Sequence, residues 1–187
     1  MTLVTLLGGA RSGKSRLAVE LAAATGAQVT FVATGEARDD EMGERIASHR
    51  RSRPDDWTTV EEPHALEEAV AALPADSVAI VDCLSLWVAN VLERGDAEDE
   101  IVARAARAAA AAAARPALVI GVSNEVGLGI VPMHPVGRAY RDLLGTVNRA
   151  WVEESAEAAF LVAGRPLPLA SADDFVARVV WRRLRVE

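Results

Sequence analysis

The 187-residue chain holds one cysteine, Cys83, so no disulfide can form within it and its chemistry fits a reducing compartment. Its start, Met-Thr-Leu-Val, has neither the basic leader nor the apolar core of a secretory signal, so a cytoplasmic location is expected. No membrane span is expected either. The longest alanine-rich stretch, Ala105 to Ala114, is broken by Arg107 and closed by Arg115-Pro116, and it reads as a helix at the solvent edge. Basic residues are in deficit, 20 Lys+Arg against 27 Asp+Glu, for a formal charge of −7. That balance argues against a nucleic-acid partner and confines any phosphate chemistry to one pocket. No internal repeat is visible, and the length suits one domain with a full core.

What is present begins near the N-terminus. Gly8-Gly9-Ala10-Arg11-Ser12-Gly13-Lys14-Ser15 fits G-x-x-x-x-G-K-[ST] and follows the apolar run Leu3 to Leu7. In such a P-loop, glycines let backbone N–H groups approach phosphate oxygens. Lys14 reaches the β- and γ-phosphates, and the Ser15 hydroxyl ligates Mg²⁺. The helix formers after Ser15 place a helix N-terminus, with its partial positive charge, against the same phosphates.

Apolar, β-branched runs then alternate with helical stretches. Strands are expected at Leu3 to Leu7, Gln28 to Ala33, Val78 to Val81, Ala117 to Val122 and Ala158 to Val162. Helices are expected near 14–24, 39–51, 64–73, 84–93, 99–114 and 137–155. The pattern predicts an α/β chain with the P-loop NTPase fold, a mainly parallel central sheet with helices on both faces. Ligands on such sheets bind at the carboxyl ends of the strands. Those ends carry the P-loop, Thr34-Gly35, Asp82 and Ser123-Asn124-Glu125. Asp82 ends Val78-Ala-Ile-Val, the position of a Walker-B carboxylate that holds Mg²⁺ beside Ser15, and it equally suits a cap on the following helix.

The stretch from Asp39 to Pro54 opens with acids and closes with bases, the charge order that suits a helix dipole. Met42, Ile46 and His49 share its apolar stripe, which reads as a half-buried histidine. Arg50, Arg51 and Arg53 next to His49 form a cationic cluster, readable as a polyphosphate contact or as a solvated charged face.

These segments also carry a resemblance. GGARSGKS, Ala33-Thr34-Gly35, the Asp39-to-Ile46 helix, His49 with Arg53-Pro54 and Trp57, Thr59 with Glu61, and Asn124-Glu125-Val126-Gly127-Leu128-Gly129-Ile130-Val131-Pro132 together resemble the bifunctional adenosylcobinamide kinase / adenosylcobinamide-phosphate guanylyltransferases of cobalamin biosynthesis. Arg138, Arg141-Asp142, Gly145 and Asn148 continue the likeness, which covers residues 3 to 170.

The resemblance implies two reactions in one nucleotide site, with Mg²⁺ and with ATP and GTP as co-substrates. A nucleoside triphosphate phosphorylates the aminopropanol hydroxyl of adenosylcobinamide. GMP is then transferred from GTP through a guanylyl-histidine to give adenosylcobinamide-GDP. It implies Lys14 and His49 as catalytic residues, with His49 carrying the GMP. It implies nucleotide contacts from Gly8, Gly9, Ala10, Arg11, Ser12, Gly13, Lys14, Ser15, Ala33, Thr34, Gly35, Arg50, Arg51, Ser52, Arg53, Glu61 and Asp82. Ser15 and Asp82 would hold the metal.

Glu125 is left between capping its loop, binding metal and contacting the corrinoid. A homotrimer with a small-molecule corrinoid substrate is also implied. The catalytic domain is expected over 1–170, with 171–187 a helical C-terminal extension. Phe175, Val179 and Arg182/Arg183 are helix-spaced, and Val176, Val180 and Leu184 complete an apolar side for the body or a neighbouring subunit, with a frayed end as the alternative. Guanylyl transfer alone, or an NTPase switch acting on a partner, would use many of the same residues.

Overall fold

The computed structural model describes residues 2–51 and 53–184; of these, the side chains of Glu41, Arg45, Ser48, His49 and residues 181–184 lie outside the described set. In chain order the elements are β1 (Leu3–Gly8), α1 (Lys14–Ala24), β2 (Val29–Ala33), α2 (Asp40–Arg51), β3 (Thr58–Glu61), α3 (Leu66–Ala71) and β4 (Val78–Asp82). They continue with α4 (Leu84–Glu93), α5 (Glu98–Ala113), β5 (Val119–Asn124), α6 (Pro135–Glu153), β6 (Glu157–Val162), β7 (Arg165–Pro168) and α7 (Ala172–Leu184). The seven strands form one sheet in the order β3-β2-β4-β5-β1-β6-β7. Every pairing is parallel except β6 with β7.

Apolar runs make the inner strands. Val78-Ala-Ile-Val is buried on both faces, as a central parallel strand must be. On one face, Leu3, Val81 and Val119 meet Trp87, Ile101, Leu144 and Trp151 from α4, α5 and α6. On the other, Leu6, Ile80 and Ile120 meet Ala18 and Ala22 of α1. This is the expected P-loop NTPase architecture.

Two strands differ from the sequence pattern. β3 reads Thr-Thr-Val-Glu and β7 reads Arg-Pro-Leu-Pro. Both are short edge strands without apolar alternation, so the pattern that marks a half-buried strand is missing. The alanine-rich α5 meets solvent on one side only, at Ala106, Arg107 and Ala110, and its other side is core. Ile101, Ala105, Ala108, Ala109 and Ala112 are fully buried, because small side chains let α3 and α6 pack closely on it. α7 is exposed over its described side chains, Phe175, Val176, Val179 and Val180 included. No helix among the described residues is long and apolar enough to cross a membrane.

Candidate functional site

β1 ends at Gly8, and the chain wraps from there into α1. Gly8 has φ 149°, and a Cβ there would lie 2.6 Å from the Leu161 carbonyl oxygen of β6. Gly13 has φ 99° at the start of α1, where a Cβ would meet Gly164 at 3.2 Å. Both positions therefore require glycine, as a phosphate loop that turns tightly against its neighbours does. The turn between β6 and β7 braces the loop, with Gly164 N–H donating to the Ser12 carbonyl at 2.9 Å.

Lys14 is buried and folds back into this loop. Its Nζ donates to the carbonyl oxygens of Gly8 at 2.9 Å and Gly9 at 2.8 Å, and lies 3.4 Å from Ser12 Oγ. The ammonium is thus held inside the cradle by acceptors that a phosphate oxygen can replace. Ser15 follows in the first turn of α1.

The neighbouring strand ends complete the rim. Register places Ala33 beside Asp82 on one side and Glu61 on the other, and Gly8 beside Asn124. Thr34 is fully buried, and its hydroxyl donates to the Cys83 carbonyl at 2.7 Å while accepting from Cys83 N–H at 2.8 Å. That hydroxyl clips β2 to β4. Gly35 lets Leu86 and Ile46 close in, since a Cβ there would meet Leu86 Cδ1 at 3.2 Å. Burial and the charge of Asp82 push the Cys83 thiol up to about 11, which keeps it protonated and unreactive near neutrality. The Lys14 ammonium also acts on this thiol, so Lys14 and Asp82 belong to one locality.

The cationic cluster divides by residue. The Arg53 guanidinium lies 3.5 Å over the Phe31 ring and donates to Thr59 Oγ1 at 3.3 Å. Burial lowers its pKa, and the Asp82 carboxylate opposes that shift. Arg53 is therefore a partly desolvated cation facing the acid at the end of β4. Arg50 is exposed and donates to Glu61 Oε1 at 2.7 Å. This pair ties the C-terminal end of α2 to the carboxyl end of β3. In the phosphate loop itself the exposed cation is Arg11, with φ 56°, and Arg51 at the end of α2 is likewise exposed. His49 stands one residue before Arg50 on α2; its side chain, and Ser52 entirely, lie outside the described residues.

Ser15 and Asp82 offer a hydroxyl and a carboxylate, the hard oxygen donors that suit Mg²⁺. Among the described residues no group of three or more His, Cys, Asp or Glu is arranged to hold a metal. Few protein ligands fit an ion that keeps its waters and takes phosphate oxygens.

A family model described as cobinamide kinase / cobinamide phosphate guanyltransferase matches residues 2–169. The chain belongs to this family. The bifunctional adenosylcobalamin biosynthesis protein CobP of Pseudomonas aeruginosa is 44% identical over 170 residues, 88% of this chain and 95% of that one. The CobU proteins of Escherichia coli and Salmonella typhimurium, with the same descriptive name, are 39% and 38% identical over 177 residues, 88% of this chain and 96% of each. Among solved structures, the RadB recombinase has a TM-score of 0.49 at 14% identity, covering 85% of this chain and 73% of that one.

In this member of the cobinamide kinase family, the Asn124-to-Pro132 segment has a visible structural part. Glu125 N–H donates to the Gly8 carbonyl at 3.1 Å, and Asn124 Nδ2 donates to Ser85 Oγ at 3.0 Å. Asn148 Nδ2 of α6 donates to the Asn124 carbonyl at 3.0 Å. Glu125 Oε1 accepts from Gly127 N–H at 2.5 Å, so its carboxylate folds over its own loop. Beyond it, Leu128, Ile130 and Met133 are almost wholly exposed. Sequence reasoning missed the brace from Gly164 and the stacking of Arg53 on Phe31. A glycine closing a hairpin was the one legible signal for the first; the second joins residues 22 positions apart and left no local pattern.

Proposed function

We propose that this protein phosphorylates the aminopropanol hydroxyl of adenosylcobinamide and then guanylylates the resulting phosphate, using one nucleotide site for both steps. The observation that carries the reading is the Lys14 ammonium held within the loop from Gly8 to Ser15, at the carboxyl ends of the strands, where Asp82 ends β4 and Arg53 stacks on Phe31 of β2. In the first reaction the loop and Lys14 hold the γ-phosphoryl group of ATP or GTP while the substrate hydroxyl attacks the γ-phosphorus. The new P–O bond forms as the bond to the β,γ-bridging oxygen breaks, ADP or GDP leaves, and the hydroxyl proton passes to solvent. In the second they hold the β,γ-pyrophosphate of GTP as the leaving group.

For the second reaction, a neutral His49 ring nitrogen attacks the α-phosphorus. The P–O bond to pyrophosphate breaks as the P–N bond forms, and the acceptor phosphate then displaces the histidine. Two displacements retain configuration at phosphorus and divide one difficult transfer into two. Ser15 and Asp82 would hold Mg²⁺, which supplies charge neutralisation to either transition state. Arg53, Arg50 and Arg51 add positive charge along the path of the phosphates, once Arg50 exchanges Glu61 for a phosphate oxygen. The backbone of Ala10, Ala33, Thr34 and Gly35, with Arg11, Ser12 and Ser52, completes the nucleotide's surroundings in this reading, while the buried Thr34 hydroxyl stays on the Cys83 backbone.

The same reading takes residues 1–170 as the catalytic domain, 171–187 as an appendage, and a cytoplasmic homotrimer without a nucleic-acid partner as the working form. The exposed apolar loop at Leu128, Ile130 and Met133 supports association between copies.

The test uses GTP labelled at the α- or the γ-phosphate, with Mg²⁺. Acid-labile, base-stable label on the protein from the α position, absent from the γ position and lost in His49→Ala, is the expected result. Absence of α-label at saturating GTP would overturn the guanylyl-enzyme. Transfer of γ-label to adenosylcobinamide reports the kinase half, and a protein lacking that transfer is a guanylyltransferase alone.

A further inference from the structure

Beside the P-loop lies a cleft of about 500 Å³ between the loop after β5 and one side of α6. Glu125, Gly127, Arg141, Asp142, Gly145 and Arg149 face into it. The hydrogen bond from Glu125 N–H to the Gly8 carbonyl joins one of its lining residues to the start of the phosphate loop. We propose that this cleft seats the amide-bearing edge of the corrin ring of the acceptor, and that Arg141 and Gly145 are specificity-determining residues for it. The assignment rests on the acceptor named under the proposed function.

Three observations point the same way. The lining balances two guanidinium groups against two carboxylates. Glu125 and Asp142 would repel a polyphosphate, whereas a ring edge carrying neutral carboxamides needs both donors and acceptors. The arginines are also available to such a ligand. Arg141 bonds only its chain neighbour among the described partners, Nε to Asp142 Oδ1 at 2.9 Å, and Arg149 faces Glu153 one turn on at 3.6 Å with both groups exposed. The Arg149–Glu153 pair is a surface pair of the kind that holds its partners weakly, whereas the Arg141 side chain is only 21% exposed and is anchored beside an exposed Asp142 carboxylate that a ligand amide can replace.

Gly145 supplies the third observation. It lies inside α6, exposed, on the side of the helix that faces the cleft, and a Cβ there would meet nothing within 4 Å. Glycine weakens an exposed helix interior relative to alanine. No atom of this chain needs the space, so the missing side chain leaves room for a body that comes from outside. The cleft is too small to enclose a corrinoid; it holds one edge and leaves the aminopropanol arm to run along Glu125 toward the P-loop.

Steady-state transfer of γ-label to adenosylcobinamide tests this in Arg141→Ala, Gly145→Ala and Gly145→Leu. Arg141→Ala and Gly145→Leu should raise the KM for adenosylcobinamide by about tenfold or more, the scale of one lost charge-assisted hydrogen bond or one steric block, with kcat within about twofold. Gly145→Ala should raise Tm by roughly 2–4 °C while also raising that KM, a pairing that a purely structural glycine would not give. Labelling of the protein by α-labelled GTP needs no corrinoid and is the internal control for folding and for the nucleotide half of the site. Unchanged KM in Arg141→Ala and Gly145→Ala overturns the assignment. So does a Gly145→Leu protein that dissociates in sedimentation at unchanged KM, which makes the surface a contact between copies. A wild-type protein that labels itself yet moves no phosphate to the corrinoid overturns the acceptor reading, and the cleft with it.

Discussion

Thr34 uses its hydroxyl twice, as donor and as acceptor, within a buried contact to the Cys83 backbone. Thr34→Val keeps the shape and leaves the Cys83 N–H and carbonyl without that partner. It should cost about 2 kcal/mol, the scale of a buried unsatisfied group, and lower Tm by roughly 4–8 °C. GTP affinity measured below the new Tm should stay within about threefold of wild type, because what the side chain does is to hold two strand ends together. A tenfold loss of affinity would show that the hydroxyl serves the nucleotide directly. Lys14, Ser15 and Asp82 were legible from local pattern, since a loop between strand and helix and an acid after four apolar residues are contiguous signals. The work of Thr34, Ser12 and Arg53 was not, because each is defined by a partner distant in sequence: Cys83, Gly164 and Phe31.

At the scale of the element, α3 shows how a short helix is started. Its flanking residue, Ala65, offers no side-chain cap. Glu62, three positions earlier, supplies one by accepting from His64 N–H at 2.9 Å and Ala65 N–H at 2.7 Å. The Ala65 bond is the main reason its carboxyl titrates below the ordinary carboxylate range. A group with a lowered folded-state pKa contributes its stability above the unfolded value and loses it as pH falls through the folded one. Glu62→Ala should therefore cost about 1 kcal/mol near neutral pH, and its Tm gap from wild type should close in acid, below about pH 4. A gap that persists into strong acid would mean that packing, not the cap, was lost. Long inner strands and helices could be read from periodicity. β3 and β7 could not, because an edge strand has one neighbour and little apolar face to reveal it.

Over the whole molecule, one edge of the sheet is closed to a further strand by its own sequence. β7 ends the sheet with Pro166 and Pro168, which have no N–H to offer a further strand, and this discourages growth of the sheet through that edge. In the proposed trimer the copies would then meet away from β7, and the exposed apolar loop carrying Leu128 and Ile130, which follows the site, is the surface proposed for that contact. Sedimentation of the wild type should report about three times the 19.8 kDa chain mass. Leu128→Asp with Ile130→Asp should shift the protein to monomer without altering its far-ultraviolet spectrum; a wild type already monomeric at micromolar concentration would exclude the trimer.

Lys14 is the sole lysine among the 20 basic residues of the chain, every other cation being arginine. Apart from the terminal amine, the only primary amine on this protein is therefore the one buried in the P-loop on the carbonyls of Gly8 and Gly9. An amine-directed reagent will find the general surface blank, and a nucleotide bearing an aldehyde or acyl phosphate has one side-chain target, so covalent labelling of this molecule counts occupied sites.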